Sequence, residues 1–186
     1  MPIQTQPIPR RHAHHARAVV LIGFMGAGKT SVGMTLSQRL GWRFVDLDRQ
    51  IEARCGRTVA TIFRELGEEA FRQMETDALA KLLDALHDGD PTIVALGGGA
   101  FVQTANRSLL ESAGVRVIYL DAPLDELRRR LGEDDHTRPL FAGAERFRLL
   151  YEQRQQHYRL APHRVQTAGK SIVEVAREIE SLLGES

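Results

Sequence analysis

Ala18-Val-Val-Leu-Ile22 followed by Gly23-Phe-Met-Gly-Ala-Gly-Lys29-Thr30 is the stretch on which the reading of this chain turns. The apolar run reads as a buried strand and Lys29 to Leu40 as a helix, and the turn between them matches G-x-x-x-x-G-K-[ST]. Glycines at 23, 26 and 28 let the backbone curl until successive amides point inward, at the positive end of the following helix. The product is an anion site suited to the phosphates of a nucleotide. Lys29 is placed to reach the β- and γ-phosphates as a point charge and the Thr30 hydroxyl to ligate Mg²⁺, while Gly26, Ala27, Gly28 and Ser31 complete the loop. The loop alone does not name what receives the phosphate, because ATPases, GTPases and kinases share it.

Around that turn, short apolar runs alternate with helical patterns, which is the signature of an α/β fold with a parallel sheet and crossover helices. Strands are predicted at Ala18–Ile22, Arg43–Leu47, Thr92–Leu96, Val115–Leu120 and Arg164–Gln166. Helices are predicted at Lys29–Leu40, Arg49–Cys55, Glu68–Leu86, Thr104–Ser112, Pro123–Leu131, Ala144–Arg159 and Ser171–Leu183. Gly41 and Gly56 sit where left-handed helix ends are cheapest, Pro123 suits a first helical turn, and Ser171 with Glu174 spells a capping box. Phe71, Ala78, Leu79, Leu82, Leu83 and Leu86 recur at helical spacing and are assigned to the core. The polar stretch 132–143 breaks the pattern and is expected to be a mobile lid.

With 186 residues, 42% of them hydrophobic, the chain is long enough to bury one core without staples, and 18–186 is read as a single domain behind a flexible arm, 1–17. The arm holds His12, His14 and His15 without a carboxylate or cysteine beside them, so they are read as solvated rather than as metal ligands. A formal net charge of +1 argues against nucleic acid or a membrane surface as partner, and no apolar run approaches the length of a membrane span. The single cysteine, Cys55, excludes an intrachain disulfide framework and fits a reducing compartment, so a cytoplasmic location is expected; a monomer is expected separately. Of 25 basic residues only Lys29, Lys81 and Lys170 are lysines, so arginine abundance by itself marks no site and each candidate arginine must be argued from its position.

Asp46 and Asp48 fall at the C-terminal end of the second predicted strand, where ligands of open α/β sheets collect. Two residues apart on a strand, both carboxylates would face the phosphate loop, one toward Mg²⁺ and one toward an acceptor hydroxyl. The plainer alternative is that Asp48 caps the next helix and Asp46 lies at the surface. Gly97, Gly98 and Gly99 follow the third strand and offer a ligand bare backbone, unless they are only a flexible turn. Arg72 and Glu75, three apart on one helix, could form a braced guanidinium for a carboxylate, or a solvated surface pair.

Taken together, Gly-Phe-Met-Gly-Ala-Gly-Lys29-Thr30, Asp46-Leu-Asp48, Phe71-Arg72-x-x-Glu75, Gly97-Gly-Gly-Ala100 and Arg138-Pro-Leu140 resemble the shikimate kinase family in order and interval. The resemblance runs from about Ala18 to the C-terminal helix. It implies a three-layer P-loop fold of the nucleoside-monophosphate-kinase type with strand order 2-3-1-4-5, and transfer of the ATP γ-phosphoryl group to shikimate with Mg²⁺. It further implies that Asp48 binds the shikimate hydroxyls and serves as base, and that Asp46 supports the metal through water. Arg72 and Arg154 would hold the shikimate carboxylate beside the backbone of Gly97, Gly98 and Gly99. Arg138 would close over the transferring group, and Arg130 would flank the adenine. Arg154-Gln-Gln-His-Tyr158 stands where the family has Arg-x-Pro-Leu-Tyr, and a solvated helix residue is the alternative reading of Arg154. Gluconate or a nucleoside monophosphate is the alternative acceptor. A noncatalytic ligand sensor is a further alternative, although 17 arm residues are too few for a helix-turn-helix.

Overall fold

Every residue of β1 (Ala18–Ile22) is buried, as five successive apolar side chains require of a strand covered on both faces. It lies between β3 (Thr92–Ala95) and β4 (Arg116–Asp121), and β2 (Arg43–Asp46) and β5 (His163–Gln166) form the edges of a five-stranded sheet ordered 2-3-1-4-5. All four pairings are parallel, with Val20 opposite Val94 on one side and Val117 on the other. The strand order reverses about β1, which opens the crevice at its C-terminal end where such sheets take ligands. The structure is a computed structural model that describes residues 18–86, 90–132 and 143–184. The expected arm and nearly all of the expected lid, Arg138 included, lie outside the described residues.

Helices α1 (Lys29–Leu40) and α7 (Ile172–Gly184) pack together, as do α2 (Leu47–Cys55) and α3 (Val59–Leu86), and α3 in turn packs on α4 (Thr104–Ser112). The remaining helices are α5 (Leu124–Leu131) and α6 (Ala144–Tyr158), and a 3-10 turn, Ala100–Val102, precedes α4. The predicted core face of α3 is buried from Phe71 to Leu86. Gly41 and Gly56 are left-handed helix ends, and Ser171 and Glu174 exchange the two hydrogen bonds of the capping box.

Three expectations need correction. Helix α3 begins at Val59 rather than Glu68, because Gly67, at φ 85° and ψ 171°, joins a short helix to a long one across a kink; a glycine reads as a break whether a helix follows or precedes it. Strand β2 stops at Asp46, so Asp48 sits in the first turn of α2 and the alternation argument for the two carboxylates does not apply. The alternative fails as well, since Asp46, not Asp48, is the residue that caps α2, and neither is fully exposed. Pro123 precedes α5 with extended ψ, 151°, and is not part of its first turn. Among the described residues no helix is long and apolar enough to cross a membrane.

Candidate active site

The phosphate loop needs its glycines for two reasons. Gly26 and Gly28 have φ of 77° and 93°, left-handed values that cost a side chain strain, and a Cβ on Gly23 would lie 2.6 Å from the Leu120 carbonyl oxygen. Lys29 opens α1 and folds back over the loop, its Nζ donating to the carbonyls of Gly23 at 2.9 Å and Phe24 at 3.0 Å. Thr30 Oγ1 donates to Asp46 Oδ2 at 2.9 Å, while Asp46 Oδ1 accepts from the Arg49 amide at 3.3 Å. One carboxylate thus joins the phosphate loop to the start of α2. A hydroxyl and a carboxylate oxygen side by side are the hard donors that Mg²⁺ prefers, so the residues present fit that ion.

Arg130, on α5, closes the other end of the loop. Its Nη1 reaches the Gly26 carbonyl at 3.4 Å and Thr167 Oγ1 at 3.0 Å, its Nη2 donates to the Thr167 carbonyl at 2.7 Å, and Glu126 holds its Nε at 2.9 Å. The guanidinium therefore lines the cleft beside the loop.

Across the cleft, α2, α3, the turn after β3 and α6 bring Asp48, Arg72, Glu75, the three glycines and Arg154 to the wall facing the loop, around a cavity of about 1180 Å³. Asp48 Oδ1 is buried and has no hydrogen-bond partner among the described residues. Burial, and then the neighbouring Asp46 charge, push its carboxyl above the ordinary range, with Lys29 and Arg72 pulling the other way. Glu75 has no exposed surface. Its Oε2 accepts from Arg72 Nη1 and from Gln103 Nε2, each at 2.9 Å, and burial pushes its carboxyl up to about 7 despite the Arg72 charge beside it. Arg72 is further held by exposed Glu68 at 3.0 Å and lies over the rings of Phe63 and Phe71, 5.6 and 5.4 Å from their centroids.

The glycine triplet is packed closely enough to exclude side chains. A Cβ on Gly97 would lie 2.6 Å from Asp48 Oδ1 and 2.9 Å from Glu75 Oε1, and one on Gly98 would lie 3.1 Å from Arg154 Nη1. On Gly99 it would overlap the Arg72 guanidinium. Arg154, only 8% exposed, is not a solvated helix residue; it stands over Phe24 of the phosphate loop at 5.8 Å. One turn on, Tyr158 donates its hydroxyl to the Gly98 carbonyl and packs on Tyr119 with centroids 5.3 Å apart. Two guanidinium groups thus border a shelf of bare backbone, with a partnerless carboxylate oxygen between that shelf and the phosphate loop.

The Shikimate kinase family model matches residues 25–183. A shikimate kinase from Symbiobacterium thermophilum is 44% identical over 90% of this chain and 96% of its own length. The chain belongs to the shikimate kinase family. A second relative, from Geobacter sulfurreducens, is 41% identical over 91% of this chain and 92% of its own. Among solved structures, a shikimate kinase from Acinetobacter baumannii in complex with shikimate superposes with TM-score 0.81 at 34% identity, covering 90% of this chain and 93% of that one.

Set in the shikimate kinase family, the motif residues that the sequence singled out converge on one cleft, Arg138 excepted because it lies outside the described residues. Sequence reasoning gave no role to four neighbours. Tyr158 had a signal, being one helical turn from Arg154; Phe63 was hidden in the unpredicted first part of α3. Thr167 and Gln103 carried none, since their partners are 37 and 28 positions away.

Proposed function

We propose that this chain transfers the γ-phosphoryl group of ATP to the 3-hydroxyl of shikimate, giving shikimate 3-phosphate and ADP. The observation that carries the reading is the Asp48 carboxylate, one oxygen of which is buried without a partner among the described residues, in a cleft that the phosphate loop and two guanidinium groups also line. That is the complement of a molecule with a carboxylate at one end and an alcohol at the other.

Phosphoryl transfer requires an acceptor oxygen in line with phosphorus, countercharge on the equatorial oxygens and exclusion of water. Arg72 and Arg154 hold the acceptor carboxylate, with the backbone of Gly97, Gly98 and Gly99 fixing the ring. Asp48 orients the 3-hydroxyl and takes its proton as the new P–O bond forms and the bond to ADP breaks. A carboxyl pushed above its ordinary range is a better proton acceptor than an exposed aspartate. Lys29 exchanges its two loop carbonyls for phosphate oxygens, and the amides of Gly26, Ala27, Gly28 and the side of Ser31 hold the same tail. Thr30 and Asp46 would hold Mg²⁺, which would supply positive charge to the phosphate tail. Arg138 closes over the transferring group and Arg130 flanks the adenine. A cytoplasmic monomer with no nucleic-acid or membrane partner completes the reading, supported by the near-neutral charge of +1 and the single cysteine.

ADP release in a coupled assay with Mg-ATP tests this directly, with shikimate, gluconate, AMP or no acceptor. Turnover with shikimate alone is expected. Preferential turnover of gluconate or AMP would reassign the acceptor, and calorimetric binding of shikimate without ADP release would make the chain a sensor.

A further inference from the structure

Helix α4 has an unusual start. Its N-cap is Gln103, in extended backbone at φ −74° and ψ 127°, and the side chain makes no capping bond. Glutamine is a poor cap in any case, since serine, threonine, aspartate or asparagine would satisfy the first amides of the helix. The Gln103 amide instead crosses to α3, where Nε2 donates to Glu75 Oε2 at 2.9 Å, the same oxygen that accepts from Arg72 Nη1. Facing an ionised Glu75, the amide nitrogen is the side-chain atom of Gln103 that can bond there. Gln103 does not line the cleft itself.

The backbone that carries Gln103 is held on every side. Its amide donates to the Ala100 carbonyl at 3.3 Å, Asn106 Nδ2 donates to the same carbonyl at 2.9 Å, and Arg107 Nη1 bonds the carbonyls of Phe101 and Val102 at 2.8 and 2.5 Å. This turn starts at Gly99, the glycine that lies against the Arg72 guanidinium. The side chain of Gln103 is therefore a cross-brace between the glycine wall of the cleft and the Arg72–Glu75 wall. Arg72 has two carboxylate partners, but Glu68 is exposed and on a flexible stem, whereas Glu75 is fully buried. The geometry of Arg72 follows that of Glu75, and the geometry of Glu75 is fixed from outside its own helix by Gln103.

We propose that Gln103 is a positioning residue for acceptor binding: through Glu75 it sets the plane and reach of the Arg72 guanidinium over Gly99. The proposal rests on the reading of Arg72 as a shikimate-carboxylate ligand. A hydrogen bond to a charged group lies at the low end of its range near a tenfold effect, and acting at one remove it should appear mainly in acceptor binding.

The experiment uses the full chain and compares wild type, Gln103→Met, Gln103→Glu, Arg72→Ala and the double variant Gln103→Met/Arg72→Ala. KM for shikimate and for ATP, kcat, the calorimetric Kd of shikimate and the melting temperature are measured for each. Gln103→Met, similar in size and without a donor, should raise KM and Kd for shikimate by about tenfold and change kcat and KM for ATP by less than about twofold. Gln103→Glu, which sets a second carboxylate against Glu75, should weaken shikimate further. In the Arg72→Ala background the same Met substitution should have no effect on kcat/KM for shikimate, because the group it positions is gone. A shikimate constant that does not move, that moves together with ATP, or that still moves without Arg72 would overturn the proposal, and a lowered melting temperature alone would make Gln103 a purely structural brace. If Gln103→Met does not fold, Gln103→Glu carries the same comparison. A wild type that neither binds nor phosphorylates shikimate would overturn the functional reading itself, an outcome distinct from a normal wild type with an indifferent Gln103.

Discussion

The two walls of the cleft are built by opposite strategies. The phosphate wall is local: nine consecutive residues, 23–31, form it from backbone amides, a helix end and one lysine, and its glycines are needed for backbone angles and one close approach. The acceptor wall is assembled from four separate elements, and its charged side chains are buried deeply enough to hold one another in place. Its glycines have ordinary φ and are needed because other side chains occupy the space a Cβ would take. A backbone site tolerates change around it and fails when its own few residues change. A side-chain site can be damaged from places that never touch the ligand.

The largest expected effects fall where the walls meet at the reacting atoms. Lys29→Ala should lower kcat by ~10²–10³-fold or more with the melting temperature retained, and Asp48→Asn should cost a comparable ~10²–10⁴-fold as the hydroxyl loses its base. Near-native turnover of either folded variant would remove that residue from the mechanism. Gly97→Ala sharpens the contrast next: its Cβ meets two buried carboxylate oxygens, so KM for shikimate should rise and kcat fall together, by about 10-fold or more, with nucleotide affinity kept. Gly28→Ala, strained at φ 93° but with only Val32 near, should do the converse and weaken ATP. Equal damage to both substrates from both variants would break the distinction between the walls.

Arg72→Ala comes third, with KM for shikimate raised about 10-fold or more and KM for ATP unchanged, as expected of a charge-assisted contact to a nonreacting carboxylate. An effect confined to ATP would place Arg72 on the wrong wall.

The smallest effect concerns acidity. The carboxyl of Glu75 rises from an ordinary 4.5 to about 7 on folding, so folding takes up a proton between those values. The folded protein therefore has its full stability from this group below about 4.5 and loses it as pH rises through about 7. Ligand-free wild type should melt at a lower temperature at pH 8 than at pH 5.5, and in Glu75→Gln that difference should shrink; an identical pH dependence in both would discount the buried carboxyl.

The same contrast explains what could be read from the sequence. The central strands were legible because they are continuous apolar runs, and the phosphate loop because its chemistry is written in consecutive letters, whereas the sheet order came only through the family resemblance. Arg72 and Glu75 were legible as a pair by spacing, but nothing in that spacing distinguishes a solvated pair from one whose glutamate is wholly buried. Asp48 was assigned to the site through a strand geometry that does not exist; it arrives by the first turn of α2 instead. Arg154 was recognised through family resemblance, and its burial over Phe24 depends on packing between segments 130 residues apart. Gln103 was invisible, since its meaning lies entirely in a partner on another helix.

The two hydrogen bonds of Asp46 reach from one wall of the cleft to the other. One oxygen accepts from Thr30 and the other from the Arg49 amide, the third residue of α2 and the one that follows Asp48. A single carboxylate therefore fastens the phosphate loop to the helical turn from which Asp48 projects, so the spacing between the two walls is set at one residue.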